Sequence, residues 1–210
     1  EKTYIQYGCG FSNPKGWINY DSSPTLKIQK TFIIGRLLKG FLNVWFPEKI
    51  IFGDIVSGLK VKENSCDGLY CSHVFEHLSY DDLIISLKNS YKILKLGGVF
   101  RIVLPDMEFL CKEYLSSLEK SDPDCCNKLM KDNCLGVKER KKGLKSLLTY
   151  MYGNSKHLWM WDYNSLSKVL AEVVFTKIRR CKFNDADDKM FLLVENKQRF
   201  ENCLSIEVVK

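Results

Sequence analysis

Short apolar runs alternate with longer stretches of helical spacing over the first two-thirds of the chain. The runs TYIQY (3–7), WINY (17–20), KIIFGD (49–54), DGLYCS (67–72) and VFRIVLP (99–105) read as strands. The last is continuously apolar, as expected of a strand covered on both faces. Residues 80–95 place Leu83, Ile84, Leu87, Tyr91 and Leu94 on one helical face, with Ser79 or Asp81 as cap and Gly97-Gly98 as the stop. A second helical period spans 26–46, broken by Gly35 and Gly40, and 107–118 predicts a further helix. The rhythm lapses from 120 to 156 into polar, Cys- and Lys-rich sequence, read as an insertion. It resumes as a helix over 165–173 and strands over 175–183 and 203–209. Alternation of this kind predicts an α/β fold, a parallel sheet with crossover helices.

Three of the first four strands end in residues with a physical use. Gly8-Cys9-Gly10 lets backbone approach a ligand, while Asp21 and Asp54 offer acceptors to a ribose diol and an adenine edge. Asn13 stands where a third glycine would complete a dinucleotide-binding turn, so the pattern suits a nucleoside ligand better than a pyrophosphate. After the fourth strand, His73-Val74-Phe75-Glu76-His77 matches the H-x-x-E-H pattern of inverted zinc peptidases. That chemistry needs both histidines on one long helix and a third ligand, whereas a strand ends at Ser72. The sequence therefore assigns no metal ligand.

Composition narrows the picture further. With 210 residues, 45% hydrophobic and 27% charged, the chain fits one globular domain with insertions at about 22–47 and 120–156. No apolar run approaches a bilayer span and no secretory leader is visible, so a cytoplasmic protein is expected. Glu1 opens directly in a strand-like run, as in a domain cut from a longer polypeptide. Nine scattered cysteines, an odd number, read as free thiols in a reducing compartment. The net charge of +7 includes the run KERKKGLK (138–145), a solvated face without the stacking aromatics that nucleic-acid binding wants.

The segments YGCG, GWINYDSSP, FGDIVSGL, NSCDGLYCSHVFEHLS and YKILKLGGVFRIVLPD, in this order, resemble class I S-adenosylmethionine-dependent methyltransferases. More narrowly, with NSKHLWMWDYNSLSKVLAEVVFTKIRRCKFNDADD, they resemble predicted methyltransferases associated with glycan and polysaccharide synthesis. The resemblance implies a Rossmann-like, seven-stranded, mostly parallel sheet with a reversed last strand and helices on both faces. It implies S-adenosylmethionine as cofactor, S-adenosylhomocysteine as product, and Tyr7, Gly8, Cys9, Gly10, Asp21, Asp54, Ile55, Cys71, Ser72 and His73 around the cofactor. The implied reaction is O-methylation of a sugar hydroxyl, a deoxyhexose such as rhamnose being favoured. The acceptor would be a glycan or a nucleotide-sugar derivative, and glycosyltransferases the partners or fused neighbours.

Methyl transfer to a hydroxyl needs an oriented acceptor and a group to take its proton. All three histidines fall in the quoted stretches. His73, directly after the fourth strand, is the first choice as base, with His157 the second candidate and Asp106 an orienting group or a helix cap. His77 and Glu76 read as structural. Trp159, Trp161 and Tyr163 form a candidate sugar-stacking wall, and Arg36 part of a lid. Whether a divalent metal acidifies the hydroxyl is left open by the sequence. The alternatives are a small-molecule O- or N-methyltransferase and, more remotely, the zinc peptidase or a non-catalytic cofactor-binding module.

Overall fold

The computed structural model describes residues 2–31, 45–137 and 156–210. Among these, seven strands form one sheet: β1 (Tyr4–Tyr7), β2 (Trp17–Asp21), β3 (Ile51–Phe52), β4 (Cys66–Ser72), β5 (Leu94–Pro105), β6 (Thr176–Arg180) and β7 (Cys203–Val209). Their order is β3-β2-β1-β4-β5-β7-β6. The first five pair in parallel, and β7 runs antiparallel to both β5 and β6. The expected reversed last strand is present. The helices are α1 (Pro24–Gln29), α2 (Tyr80–Ile93), α3 (Met107–Glu119), α4 (Cys125–Asp132), α5 (Tyr163–Glu172) and α6 (Lys197–Phe200).

Burial follows the hydrophobic pattern. All four residues of β1 are buried, and Phe100, Ile102 and Leu104 of β5 meet Leu83 and Leu87 of α2 and Leu166 and Leu170 of α5 in one core. Ser79 caps α2 by accepting from the Asp82 amide at 3.2 Å, and a capping box of Asp162 and Ser165 starts α5. Mid-strand Arg101 is the polar exception. Fully buried, it binds Glu195 at 2.7 Å, Glu207 at 2.5 Å and Asp185 at 2.9 Å, so its charge is compensated where β5, β7 and the 182–195 segment meet.

Several boundaries shift. The strand expected at 49–54 shortens to Ile51–Phe52, and the one expected at 175–183 to Thr176–Arg180. Gly97-Gly98 does not stop α2, which ends at Ile93; the glycines lie within β5, Gly97 at φ +76°. The supposed insertion contains α4. The helical period over 26–46 is α1 only as far as Gln29, and residues 32–44, with Arg36, lie outside the described residues, as does the basic run 138–145. The nine cysteines are all free. Among the described residues no helix is long and apolar enough to cross a membrane.

Register brings the chemistry to one edge. Tyr7 pairs with Tyr20 and with Cys71, so β1, β2 and β4 end level, and the strand order reverses between β1 and β4. Pro105 pairs with Cys203, so antiparallel β7 begins at that same edge.

Candidate active site

The chain leaves β1 through Gly8 at φ +63° and Gly10 at φ +55°, backbone that glycine adopts without strain. A Cβ on Gly10 would meet nothing within 4 Å. Asp21 is buried at the end of β2, where Oδ2 accepts from the Gly10 amide and Oδ1 from the Ser23 amide, both at 2.8 Å. Asp54, beyond β3, accepts from the Val56 amide at 2.9 Å and the Ser57 hydroxyl at 3.2 Å. These bonds fix two carboxylates on the rim of a cleft of about 510 Å³.

Gly8, Gly10, Asp21, Asp54, Ile55, Ser72 and His73, among the residues assigned to the cofactor, line that cleft. Three other residues assigned to it do not. Tyr7 is buried with its hydroxyl 2.9 Å from Ser90 Oγ, in the layer between sheet and α2. The Cys71 side chain lies in the same core, and Cys9 packs against the cluster of Leu26, Phe46 and Ile50. Alternation along a strand explains the first two: strand-end side chains point to opposite faces, so proximity in sequence to Gly8 and Ser72 does not bring Tyr7 and Cys71 to the ligand. Sequence reasoning missed Arg199 of α6 and the Ser22–Thr25 turn, which also line the cleft. Arg199 is a lone base in a polar stretch, without a motif to mark it.

The donor set fits a nucleoside with an amino-acid tail. Carboxylates at two strand ends accept from hydroxyl and amine groups, the space above Gly10 admits a ligand against backbone, and the Arg199 guanidinium offers a partner for a carboxylate.

His73 follows β4 in a left-handed conformation, φ +55°, rare for a residue with a side chain. Its amide donates to the Val103 carbonyl at 2.8 Å, holding the turn to β5. Nδ1 lies 3.1 Å from Ser72 Oγ, and Nε2 is 3.6 Å from Cys203 Sγ. Burial, with the charge of Arg199 and the neighbouring His157 and His77, depresses its pKa to about 4, so the ring is neutral at physiological pH. His73 also lines a second cleft, of about 600 Å³, with His157, Phe109, Tyr114, Glu113, Lys128, Asp132 and Asn202. Among the described residues it is the one common to the two clefts.

Asp106 is buried and its carboxylate is engaged: Oδ1 caps α3 by accepting from the Glu108 amide, and Oδ2 lies 3.4 Å from Arg180. It is a helix cap, lines neither cleft, and its expected catalytic role is corrected accordingly. The aromatic wall is corrected too. Trp161 is 1% exposed, part of the core and covered by the stacked ring of exposed Tyr80, Tyr163 lies under Arg180, and of the three only Trp159, 47% exposed, faces outward. None of the three lines either cleft; the aromatic rings that do are Phe109 and Tyr114 of α3.

The H-x-x-E-H stretch is no peptidase helix. His73 is in a left-handed turn and Phe75–His77 forms a single 3₁₀ turn. Among the described residues one group does bring metal-ligand atoms together: Glu76, His77 and His157, within 4.8 Å of one another. Burial raises the Glu76 carboxyl to about 7.

Residues 39–102 match a family model described as a methyltransferase domain. The matched segment runs through Asp54, β4, the His73 turn and most of β5, so it holds half of the rim just described. A structure described as PigF with SAH superposes with a TM-score of 0.51 at 14% identity, over all of this chain and 56% of that one. S-adenosylmethionine-dependent methyltransferases from Archaeoglobus fulgidus and Thermotoga maritima each give 0.49 at 16% identity, over all of this chain and 86% and 83% of theirs. No curated protein matches the chain in sequence. The matched segment is similar to a methyltransferase domain, and the seven-stranded sheet with its reversed strand is the Rossmann-like fold of class I methyltransferases.

Proposed function

We propose that this methyltransferase transfers the methyl group of S-adenosylmethionine to a hydroxyl of a sugar-like acceptor bound in the second cleft. The observation that carries the reading is the position of His73, whose side chain borders both clefts. A donor in the first and an acceptor in the second would meet there. S-adenosylmethionine supplies an electrophilic methyl when bound. Asp21 and Asp54 would hold its hydroxyl and amine groups and Arg199 its carboxylate.

The neutral His73 ring accepts a hydrogen bond from the acceptor hydroxyl and receives its proton as the methyl arrives. Cys203 makes a weak contact at 3.6 Å, through a thiol that burial keeps protonated up to about 11, and a substrate hydroxyl would displace it. A conjugate-acid pKa of about 4 makes His73 a weak base but one free to accept at every pH above that value. The second cleft supports a polyhydroxylated acceptor: Phe109 and Tyr114 give an apolar surface beside polar Glu113, Lys128, Asp132 and Asn202. A glycan or nucleotide-sugar derivative with a deoxyhexose such as rhamnose presents both kinds of surface, and glycosyltransferases are the partners this reading proposes.

The test is incubation with methyl-labelled S-adenosylmethionine and a panel of unmethylated glycans, nucleotide sugars, small phenols and amines. Label in a sugar hydroxyl supports the reading; label confined to amines or phenols overturns the sugar acceptor. No binding of S-adenosylhomocysteine at micromolar concentration by calorimetry would remove the methyltransferase assignment altogether.

A further inference from the structure

We propose that Glu76, His77 and His157 hold a divalent transition-metal ion at the border between the two clefts. Each offers one ligand atom, and these atoms lie within 4.8 Å of one another. Glu76 is 1% exposed, and neither carboxylate oxygen has a hydrogen-bond partner among the described residues; His77 Nε2 is 4.0 Å from Oε1, beyond hydrogen-bond reach. An ionised carboxylate buried this deeply is costly unless paired or bound to a metal. His157 Nδ1 is likewise buried without a hydrogen-bond partner.

The tautomer of His77 points the same way. Its Nδ1 lies 2.9 Å from the Lys156 carbonyl, which can only accept, so Nδ1 carries the proton and Nε2 keeps a lone pair on the side of Glu76. A histidine donating one ring N–H to a backbone carbonyl while its other nitrogen stays bare is the arrangement that orients a metal ligand. Backbone holds the third ligand in place: the Leu158 and Trp159 amides donate to the Glu76 carbonyl at 2.7 and 3.3 Å, clamping the His157 segment over the 3₁₀ turn. The His77 and His157 rings meet edge-on, centroids 5.0 Å apart.

Two imidazoles and one carboxylate suit zinc, manganese, iron or cobalt and leave coordination positions open. His77 lines the first cleft and His157 the second, so an ion among them sits next to His73, facing the acceptor. The open positions would take acceptor oxygens, which makes the sugar hydroxyl of the proposed reaction the ligand class; that part rests on the proposed function, the ion site does not.

Chelator-stripped protein is titrated with Mn²⁺, Zn²⁺ and Co²⁺, each alone, by calorimetry, and the visible absorption of the cobalt form reports nitrogen ligation. One ion per chain is expected, with Glu76→Gln and His157→Ala each weakening it at least about tenfold and Glu76→Asp retaining more affinity than Glu76→Gln. Circular dichroism confirms that each variant is folded. No ion bound by the unaltered protein up to about millimolar, or equal affinity in folded Glu76→Gln and His157→Ala, overturns the site. S-adenosylhomocysteine binding is measured on the same samples. Cofactor bound without metal removes the ion and keeps the methyltransferase; metal bound without cofactor keeps the ion and removes the proposed reaction.

Discussion

A Cβ placed on Gly8 falls 2.1 Å from Cγ2 of Val74. The loops after β1 and β4 therefore pass each other at a distance that only glycine permits, and at φ +63° glycine is also the residue the backbone prefers. The first cleft is built across that crossing. Gly8→Ala is expected to destabilise the protein by about 1–3 kcal/mol and to weaken S-adenosylhomocysteine binding at least about tenfold. Adding Val74→Ala removes the clash but not the strain of positive φ, so the double variant recovers part of the loss. Calorimetry and thermal melts of the three proteins form the cycle.

His73 carries the methyl-transfer prediction. His73→Ala is expected to slow turnover about 100-fold while S-adenosylhomocysteine affinity changes only a few-fold. Full activity in this variant would remove His73 from the reaction.

The same residue sets a pH dependence. With the folded-state pKa depressed from 6.5 to about 4, the ring stays neutral in the folded protein where the unfolded chain already binds a proton. Protonation of His73 thus leaves kcat/KM untouched between pH 7 and 5, and stability falls with acid over that range. Burial is the main cause of the shift, reinforced by Arg199, His157 and His77, with Cys203 in contact with the ring at 3.6 Å. Melting temperatures at pH 7 and 5 are expected to drop more in the native protein than in His73→Gln. A larger drop in the variant would contradict the depressed pKa.

Trp159 and Trp161 separate a binding surface from a core. Trp161→Ala is expected to cost about 3–5 kcal/mol in urea unfolding, because it empties a site 1% exposed. Trp159→Ala, at a half-exposed position, is expected to stay within about 1 kcal/mol. If Trp159→Ala nevertheless raised KM for a sugar acceptor, the outer aromatic surface would belong to the acceptor site after all.

Arg101→Met tests the buried ion cluster. It leaves Glu195, with a fully buried side chain, without its cation, while Glu207 and Asp185 keep Arg179. A loss of about 3–5 kcal/mol is expected in urea unfolding.

The fold was largely legible because strand ends and hydrophobic periods are local signals. WINYD, DGLYCS and CLSIEVV declare themselves within a few residues, and the acids that follow β2 and β3 come with them. What escaped were side-chain directions and non-local partners. Tyr7 and Cys71 are adjacent in sequence to true cleft residues yet turn into the core. Asp106 looked available until Arg180 and the Glu108 amide came to it. Glu76 and His157, far apart in sequence with α2, β5, α3 and α4 between them, are held together by the 158–159 backbone bonded to the Glu76 carbonyl. The H-x-x-E-H match illustrates both sides: wrong about the peptidase helix, it nevertheless contains two of the three groups that gather here.

The reversed direction of β7 has a consequence for biosynthesis. It delivers Cys203, at its first residue, to the ring of His73, 130 positions earlier in the chain. A parallel last strand would have put its beginning at the opposite edge of the sheet. The wall of the second cleft beside His73 consequently forms only after β1 to β6 have been synthesised. A ribosome-bound intermediate lacking β7 would have the nucleoside cleft's β1, β2 and β4 edges but no finished meeting point between the two clefts. The protein would thus become competent for transfer only after synthesis has passed Val209.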